Sequence, residues 1–225
     1  MPMPFVYSLS RDGVPDRSNI VFYDNAGEHF QPGVDINLQP GAQHVSKAAG
    51  ILFMFDPFHS PGFRDLMRDG GDPQLEAPVI DEHDVLLSEM KVRVQRLRNL
   101  SANEKVNTPL AVIFGKADGW THALPTPLRE NITEAGRLNQ SAISENSAML
   151  RQFALEKAPR VVANAESFSA NVKYFAVSSF GHIPVAIQTP QGFGQAPDPA
   201  RLKPFMAEVP VLWVLSKTMS GLVPS

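Results

Sequence analysis

Three short apolar runs constrain the fold of this chain more than any other feature of its sequence. They are "GILFMFD" (50–56), "PLAVIFGKAD" (109–118) and "KYFAVSS" (173–179). Each is continuously apolar rather than alternating, which is typical of strands that are covered on both faces in a parallel sheet. A fourth run, "NIVFYD" (19–24), follows "PFVYSLS" (4–10) across a turn-rich segment, and this pair predicts a hairpin with an edge strand.

Helical patterns lie between and after these runs. Segment 81–99 repeats apolar residues at spacings of three and four, and segment 141–158 does the same up to Pro159. Arg93, Arg96 and Arg98 near the end of the first segment are expected to form a solvated, basic helix end. The apolar segment 205–217 is expected to lie on the sheet as a final helix, with a final strand as the alternative. Strands that alternate with helices predict an α/β fold with three layers, in which a mostly parallel central sheet carries helices on both faces.

Composition excludes several classes of function. A formal net charge of −3 gives no electrostatic case for nucleic acid as the main partner. The chain has no cysteine, which excludes disulfides and thiol catalysis and fits a cytoplasmic location. No apolar run approaches the roughly 20 residues of a membrane span. No repeat or second-domain signal is present, so residues 1–225 are expected to form a single domain.

Polar residues stand at the ends of three of the apolar runs. Asp24 ends the run 19–24, Lys116 and Asp118 end the run 109–118, and Ser178 and Ser179 end the run 173–179. Asp56, followed by Pro57, also ends a run, but it is expected to cap a turn rather than to bind a ligand. In an open α/β sheet, ligands bind beyond the carboxyl ends of the strands. We therefore expect Asp24, Asp118 and Ser179 to lie along one rim of a central sheet, around a shared hollow of purine size.

These polar segments resemble the motifs of a known family. "DNAG" (24–27) looks like the D-x-x-G motif of P-loop GTPases, "GKAD" (115–118) like their [NT]-K-x-D motif, and "SSFG" (178–181) like their S-A-[KL] motif. Their order along the chain agrees with the TRAFAC class of these enzymes. The segments "DNAGE" and "ILFMFDPFHSPGFR" are similar to those of bacterial GTPases of the double-GTPase type. The resemblance implies a fold of the P-loop NTPase type.

The resemblance implies a guanine pocket at the second and third motifs. The Asp118 carboxylate would accept hydrogen bonds from the ring N–H and the exocyclic amine of guanine, a pair of donors that adenine lacks. The methylene stem of Lys116 would lie along the purine. Ser178 and Ser179 would complete the pocket, with the Ser179 backbone N–H donating to the guanine O6.

The resemblance of the first motif implies that it binds the metal ion and the terminal phosphate of the nucleotide. Asp24 would face the Mg²⁺ that accompanies GTP or GDP, since this cation takes oxygen ligands and keeps several waters. Gly27 would bring bare backbone close to a phosphate. Glu28 stands where many relatives carry the glutamine that orients the attacking water, and His29 is the alternative catalytic residue.

One motif of the family is missing from this sequence. No G-x-x-x-x-G-K-[ST] loop, which cradles the phosphates, occurs in the 225 residues. We therefore expect a GTPase-like domain that lacks the first strand, the phosphate loop and the first switch, either as part of a longer protein or as a degenerate relative.

Two functions remain open on these grounds. The chain is either part of a molecular switch that hydrolyses GTP once a longer parent chain supplies the loop, or a pseudo-GTPase scaffold that works through protein contacts. In both cases another protein or the missing N-terminal segment is an expected partner. A hydrolase built on Ser179, His182 and Asp24 is disfavoured, because no G-x-S-x-G elbow is present.

Overall fold

The computed structural model describes residues 4–10, 17–24, 40–76, 83–189, 192–219 and 221–224. Within these ranges the strands are β1 (Phe5–Leu9), β2 (Ser18–Phe22), β3 (Ile51–Phe55), β4 (Leu110–Phe114), β5 (Thr133–Glu134), β6 (Arg137–Leu138), β7 (Val172–Ala176), β8 (Val185–Thr189) and β9 (Gly192–Ala196). The α-helices are α1 (Pro40–Lys47), α2 (Pro61–Met67), α3 (His83–Leu97), α4 (Gln140–Lys157), α5 (Pro159–Phe168) and α6 (Val209–Thr218).

The central sheet consists of three parallel strands in the order β3-β4-β7. All five residues of the middle strand β4 are buried. Phe114, at the end of β4, lies opposite Phe55 of β3 and Ala176 of β7, so the three carboxyl ends stand side by side. The continuously apolar runs therefore predicted parallel strands correctly, because this pattern belongs to strands that are covered on both faces.

Helices lie on both faces of this sheet. Val112 and Phe114 of β4 pack in a hydrophobic cluster with Val94 of α3. Ile113, between them in sequence, packs in a second cluster with Trp213 of α6. Since successive side chains of a strand point to opposite faces, the two clusters lie on opposite sides of the sheet. The chain is thus a mixed α/β protein whose parallel sheet is compatible with a three-layer arrangement.

The predicted hairpin is present, but it does not join the central sheet. β1 and β2 pair in antiparallel fashion from Phe5↔Phe22 to Leu9↔Ser18 and form a separate two-stranded sheet. The expectation that the strand before Asp24 belongs to the central sheet is therefore wrong. The burial of β2 alternates between half-buried and exposed residues, so β2 lacks the two-sided covering of a central strand.

The two outer edges of the central sheet have different neighbours. At the β7 edge, the backbone N–H of Tyr174 donates to the hydroxyl of Ser147 on α4 at 2.9 Å, in a buried position. At the β3 edge, no further strand pairs within the described part of the chain. Met54 of β3 is 58% exposed there.

The helices agree with the sequence patterns in position, with one error of burial. α3 lies within its predicted segment, and α4 and α6 overlap theirs with ends that differ by one to four residues. None of the described helices is long and apolar enough to cross a membrane. Arg93, which a basic helix end led us to expect in solvent, is only 2% exposed and lies 3.9 Å from Glu89.

Candidate functional site

The carboxyl ends of β3, β4 and β7 open on a cavity of about 560 Å³, which we call the rim cavity. Small-molecule sites usually have volumes of roughly 300–1,000 Å³, so this size suits a cofactor or nucleotide base. The polar side chains that line it come from the segments after the three strands: Asp56, Lys116, Asp118, Ser178, Ser179 and His182.

The loop after β4 is held by backbone bonds and by a buried tryptophan. Lys116 has a φ of 51°, in the left-handed region, and the chain then forms a short 3₁₀ turn from Ala117 to Gly119. Trp120 is fully buried, and its indole N–H donates to the carbonyl of Gly115 at 2.9 Å. This framework leaves the Asp118 side chain exposed at the cavity.

Lys116 is held in place by two groups from the segment after β3. Its Nζ lies 2.8 and 3.1 Å from the two carboxylate oxygens of Asp56. It also lies 3.5 Å from the centroid of the Phe58 ring, in cation–π geometry. The ammonium is therefore fixed at the end of its stem, beside the cavity.

Asp56 has further hydrogen-bond partners besides Lys116. One carboxylate oxygen accepts the N–H of Phe58 at 2.9 Å and so caps a short turn, as the sequence predicts for Asp56-Pro57. Its own N–H donates to Nδ1 of His83 at 3.1 Å. The His83 ring stacks on His59, with centroids 4.5 Å apart. Asp56 thus links the turn after β3 to the loop after β4.

The loop after β7 contributes one buried and one exposed serine. Ser178 is 2% exposed, and its hydroxyl accepts the N–H of Gly181 at 2.8 Å. Its backbone pairs in both directions with Phe205. Ser179 is exposed at the cavity. Gly181 has a φ of 72°, and a Cβ there would lie 2.0 Å from the carbonyl oxygen of Lys203, so only glycine fits this turn.

His182 brings a buried ring nitrogen to the same loop. The residue is 8% exposed, and its Nδ1 lies 2.8 Å from the carbonyl oxygen of Ile183. Because a carbonyl only accepts, Nδ1 is the donor and Nε2 is left as an acceptor in the neutral ring. Within the described ranges Nε2 has no hydrogen-bond partner.

The predicted site residues fall into two groups in the structure. Lys116, Asp118, Ser178 and Ser179 all line the rim cavity. Asp24 instead lines a second cavity of about 820 Å³, between the hairpin and β3. The expectation that Asp24 shares a rim with Asp118 is therefore wrong, because β2 stands outside the central sheet.

The other residues of the first motif, Gly27, Glu28 and His29, lie outside the described residues. Asp24 and Ser179 line different cavities, which also counts against the hydrolase triad. In the described ranges, no group of three or more His, Asp or Glu side chains is arranged to hold a metal ion.

Sequence reasoning missed the parts that Asp56 and His83 play at the cavity. Asp56 was expected only to cap a turn, although it follows an apolar strand directly and Lys116 follows the neighbouring strand after a single glycine. His83 carries no signal in the sequence, since it reaches the cavity only through the packing of α3.

Comparisons of this chain with protein families, with curated proteins and with solved structures gave no significant match.

Proposed function

We propose that this chain carries a guanine-nucleotide-binding domain of the GTPase type, which acts as part of a molecular switch. One observation carries the proposal. Four residues of two separate motifs, Lys116, Asp118, Ser178 and Ser179, line a single cavity at the carboxyl end of a parallel sheet. This is the edge at which open α/β folds bind ligands.

The chemistry of the rim cavity suits a guanine base. The exposed Asp118 carboxylate has two oxygens, which match the ring N–H and the exocyclic amine of guanine. Adenine presents an unprotonated nitrogen at the first of these positions, so the same carboxylate disfavours it. Lys116 has its ammonium held by Asp56 and Phe58, which leaves its methylene stem to lie beside the base.

Hydrolysis of GTP forms a conditional part of the proposal. It requires a phosphate loop from a longer parent chain, with Mg²⁺ bound together with the nucleotide. Among the described residues no group of three or more His, Asp or Glu side chains is arranged to hold a metal ion, and Asp24 lines a different cavity from Asp118. The roles of Gly27, Glu28 and His29 at the phosphate and the attacking water belong to this conditional part.

Titration with a fluorescent GDP analogue tests the proposal. We expect saturable binding that GDP competes away and ADP does not. Asp118→Ala should weaken the binding by about 2 kcal/mol or more, roughly thirtyfold, because the two donors of guanine then lose their charged acceptor. Asp65→Ala is the matched control: Asp65 is an exposed carboxylate that pairs with Arg68 at the surface and does not line the cavity. Equal weakening by both variants would contradict the proposal.

A second function, a pseudo-GTPase scaffold, is favoured by a different observation. The phosphate loop is missing from the sequence, while the 820 Å³ cavity beside β3 is lined mainly by apolar residues and by strand edges. In that case the chain would work through protein contacts. No binding of the GDP analogue at millimolar concentration, with the folded state verified by circular dichroism, would favour the scaffold over the switch.

A further inference from the structure

The larger cavity lies between the hairpin and the central sheet, and we call it the apolar groove. It has a volume of about 820 Å³ and is lined by residues of β2, β3, α1, α3 and α6. We propose that this groove is a docking site for an extended β-strand of a partner polypeptide, which pairs with β2 on one side and with β3 on the other. The proposal does not depend on the binding of a nucleotide.

Two strands, β2 and β3, line the groove. β2 pairs only with β1, and β3 pairs only with β4, among the described residues. Each strand thus has one edge whose backbone N–H and C=O groups are not engaged in a ladder. Unpaired edges of this kind are templates for an added strand. A strand is also the occupant that offers backbone donors and acceptors along both of its own edges.

Two helices, α6 and α3, also line the groove. Val211 and Val214 line it from α6, the helix that packs on one face of the central sheet. Leu86 and Met90 line it from α3, which packs on the opposite face. A strand in the groove would therefore have a strand on each side and a helix on each face. These are the surroundings of β4 itself, all of whose residues are buried.

The groove also indicates the chemistry of its partner. The side chains of Val21, Tyr23 and Met54 line it and are 44%, 40% and 58% exposed, which leaves apolar surface for an apolar strand to cover. β2 and β3 are each five residues long, so the docked segment should be about as long. A strand covered on both faces is uncharged and continuously apolar, as β4 is, and it contains no proline.

A soluble strand peptide provides the direct test. The probe is a fluorescent peptide in which five apolar residues, Val-Ile-Val-Val-Ile, stand between pairs of lysines. We expect saturable binding to the full chain. Two further probes carry N-methyl groups on either the odd or the even residues of the apolar segment. Because successive N–H groups of a strand point to opposite edges, each set of methyl groups blocks one edge only.

The two methylated probes distinguish docking between two edges from docking on one. A strand held by β2 and β3 together needs both sets of N–H groups, so each methylated probe should bind at least about tenfold more weakly than the parent. Unchanged binding of either methylated probe would mean that only one edge is used, and would overturn the proposal. Failure of the parent peptide to bind, or occupation of the groove by a second copy of the chain in sedimentation velocity, would also overturn it.

Protein variants locate the binding without disturbing the fold. Val21→Lys places a charge in the groove and should weaken the parent peptide at least about tenfold. Val92→Lys is the matched control, since Val92 is 43% exposed and lies outside the groove. In hydrogen exchange, bound peptide should slow the amides of both 18–22 and 51–55. Protection of one strand alone, or equal effects of the two lysine variants, would contradict the proposal.

Discussion

The two edges of the three-stranded sheet differ in what lies beside them. At the β7 edge, α4 supplies the hydroxyl of Ser147 to the backbone N–H of Tyr174, and Tyr174 is 2% exposed. At the β3 edge lies the apolar groove, and Met54 is 58% exposed. The β7 edge is covered by α4, whereas no strand of the described residues pairs with the outer edge of β3.

This difference indicates a division of roles within one sheet. The pairing of Ser178 with Phe205 holds the loop after β7, and the rim cavity lies at the carboxyl ends of the three strands. Met54 and His83 line both the rim cavity and the apolar groove. The structure therefore combines a site that suits a small polar ligand with an adjacent surface that suits a polypeptide.

The largest expected effect is a difference in the free energy of unfolding between variants at the two edges. Tyr174→Ala removes a buried ring that stacks on Phe114 and should lower the free energy of unfolding by about 3–5 kcal/mol. Met54→Ala, at the open edge, should change it by no more than about 0.5 kcal/mol. Urea denaturation of both variants measures the difference. Similar losses in the two variants would show that the edges are covered to a similar extent.

A smaller effect is expected in the loop after β7. Gly181→Ala should lower the free energy of unfolding by about 2–3 kcal/mol, because the new Cβ would lie 2.0 Å from the Lys203 carbonyl oxygen in addition to requiring a φ of 72°. Gly136→Ala is the control with a φ of 73° and no atom within 4 Å of the new Cβ, and should cost about 1 kcal/mol. Thermal or urea unfolding gives both values, and equal losses would contradict the close contact in this loop.

The smallest effect concerns the pH dependence of the covered edge. Arg151 holds the pKa of the Glu166 carboxyl below its usual value, burial opposes this shift, and the hydroxyl of Tyr174 adds to it. Because the folded pKa is depressed, the stabilisation is present above the ordinary pKa of a glutamate and is lost as the pH falls through the folded value. Solvent screening limits the contribution to about 0.5–1 kcal/mol.

Glu166→Gln measures this contribution against the wild type. The variant should be less stable at about pH 7, and the difference in free energy of unfolding should shrink as the pH falls toward about 3. A difference that is independent of pH would contradict the assigned pairing of Glu166 with Arg151.

Local patterns predicted the elements of this fold well. The run "LAVIF" (110–114) is a central parallel strand because its residues are buried on both faces, and the hairpin of 4–10 with 19–24 follows from the turn between two β-rich segments. The apolar segment at 205–217 contains α6, with Trp213 fully buried. Each of these features depends on residues that are close in sequence.

Features that depend on the packing of distant segments were not predictable. The pairing of Asp56 with Lys116 joins residues 60 positions apart and follows from the pairing of β3 with β4. The hairpin was misplaced for the same reason, because its sequence does not specify which strand would lie beside it. Arg93 is buried by its tertiary contacts, although a basic helix end normally lies in solvent.

Recognition of a guanine base by Asp118 in the rim cavity is the central claim of the proposed function. Asp118→Asn tests it by exchanging one acceptor for a donor, while the size of the side chain is kept. An asparagine amide matches the N–H and the carbonyl that xanthine presents in place of the two donors of guanine. Titration of both proteins with GDP and xanthosine diphosphate should show that the wild type prefers GDP and that the variant prefers xanthosine diphosphate. Binding of both nucleotides with unchanged preference in the variant, or binding of neither by the wild type, would contradict the account.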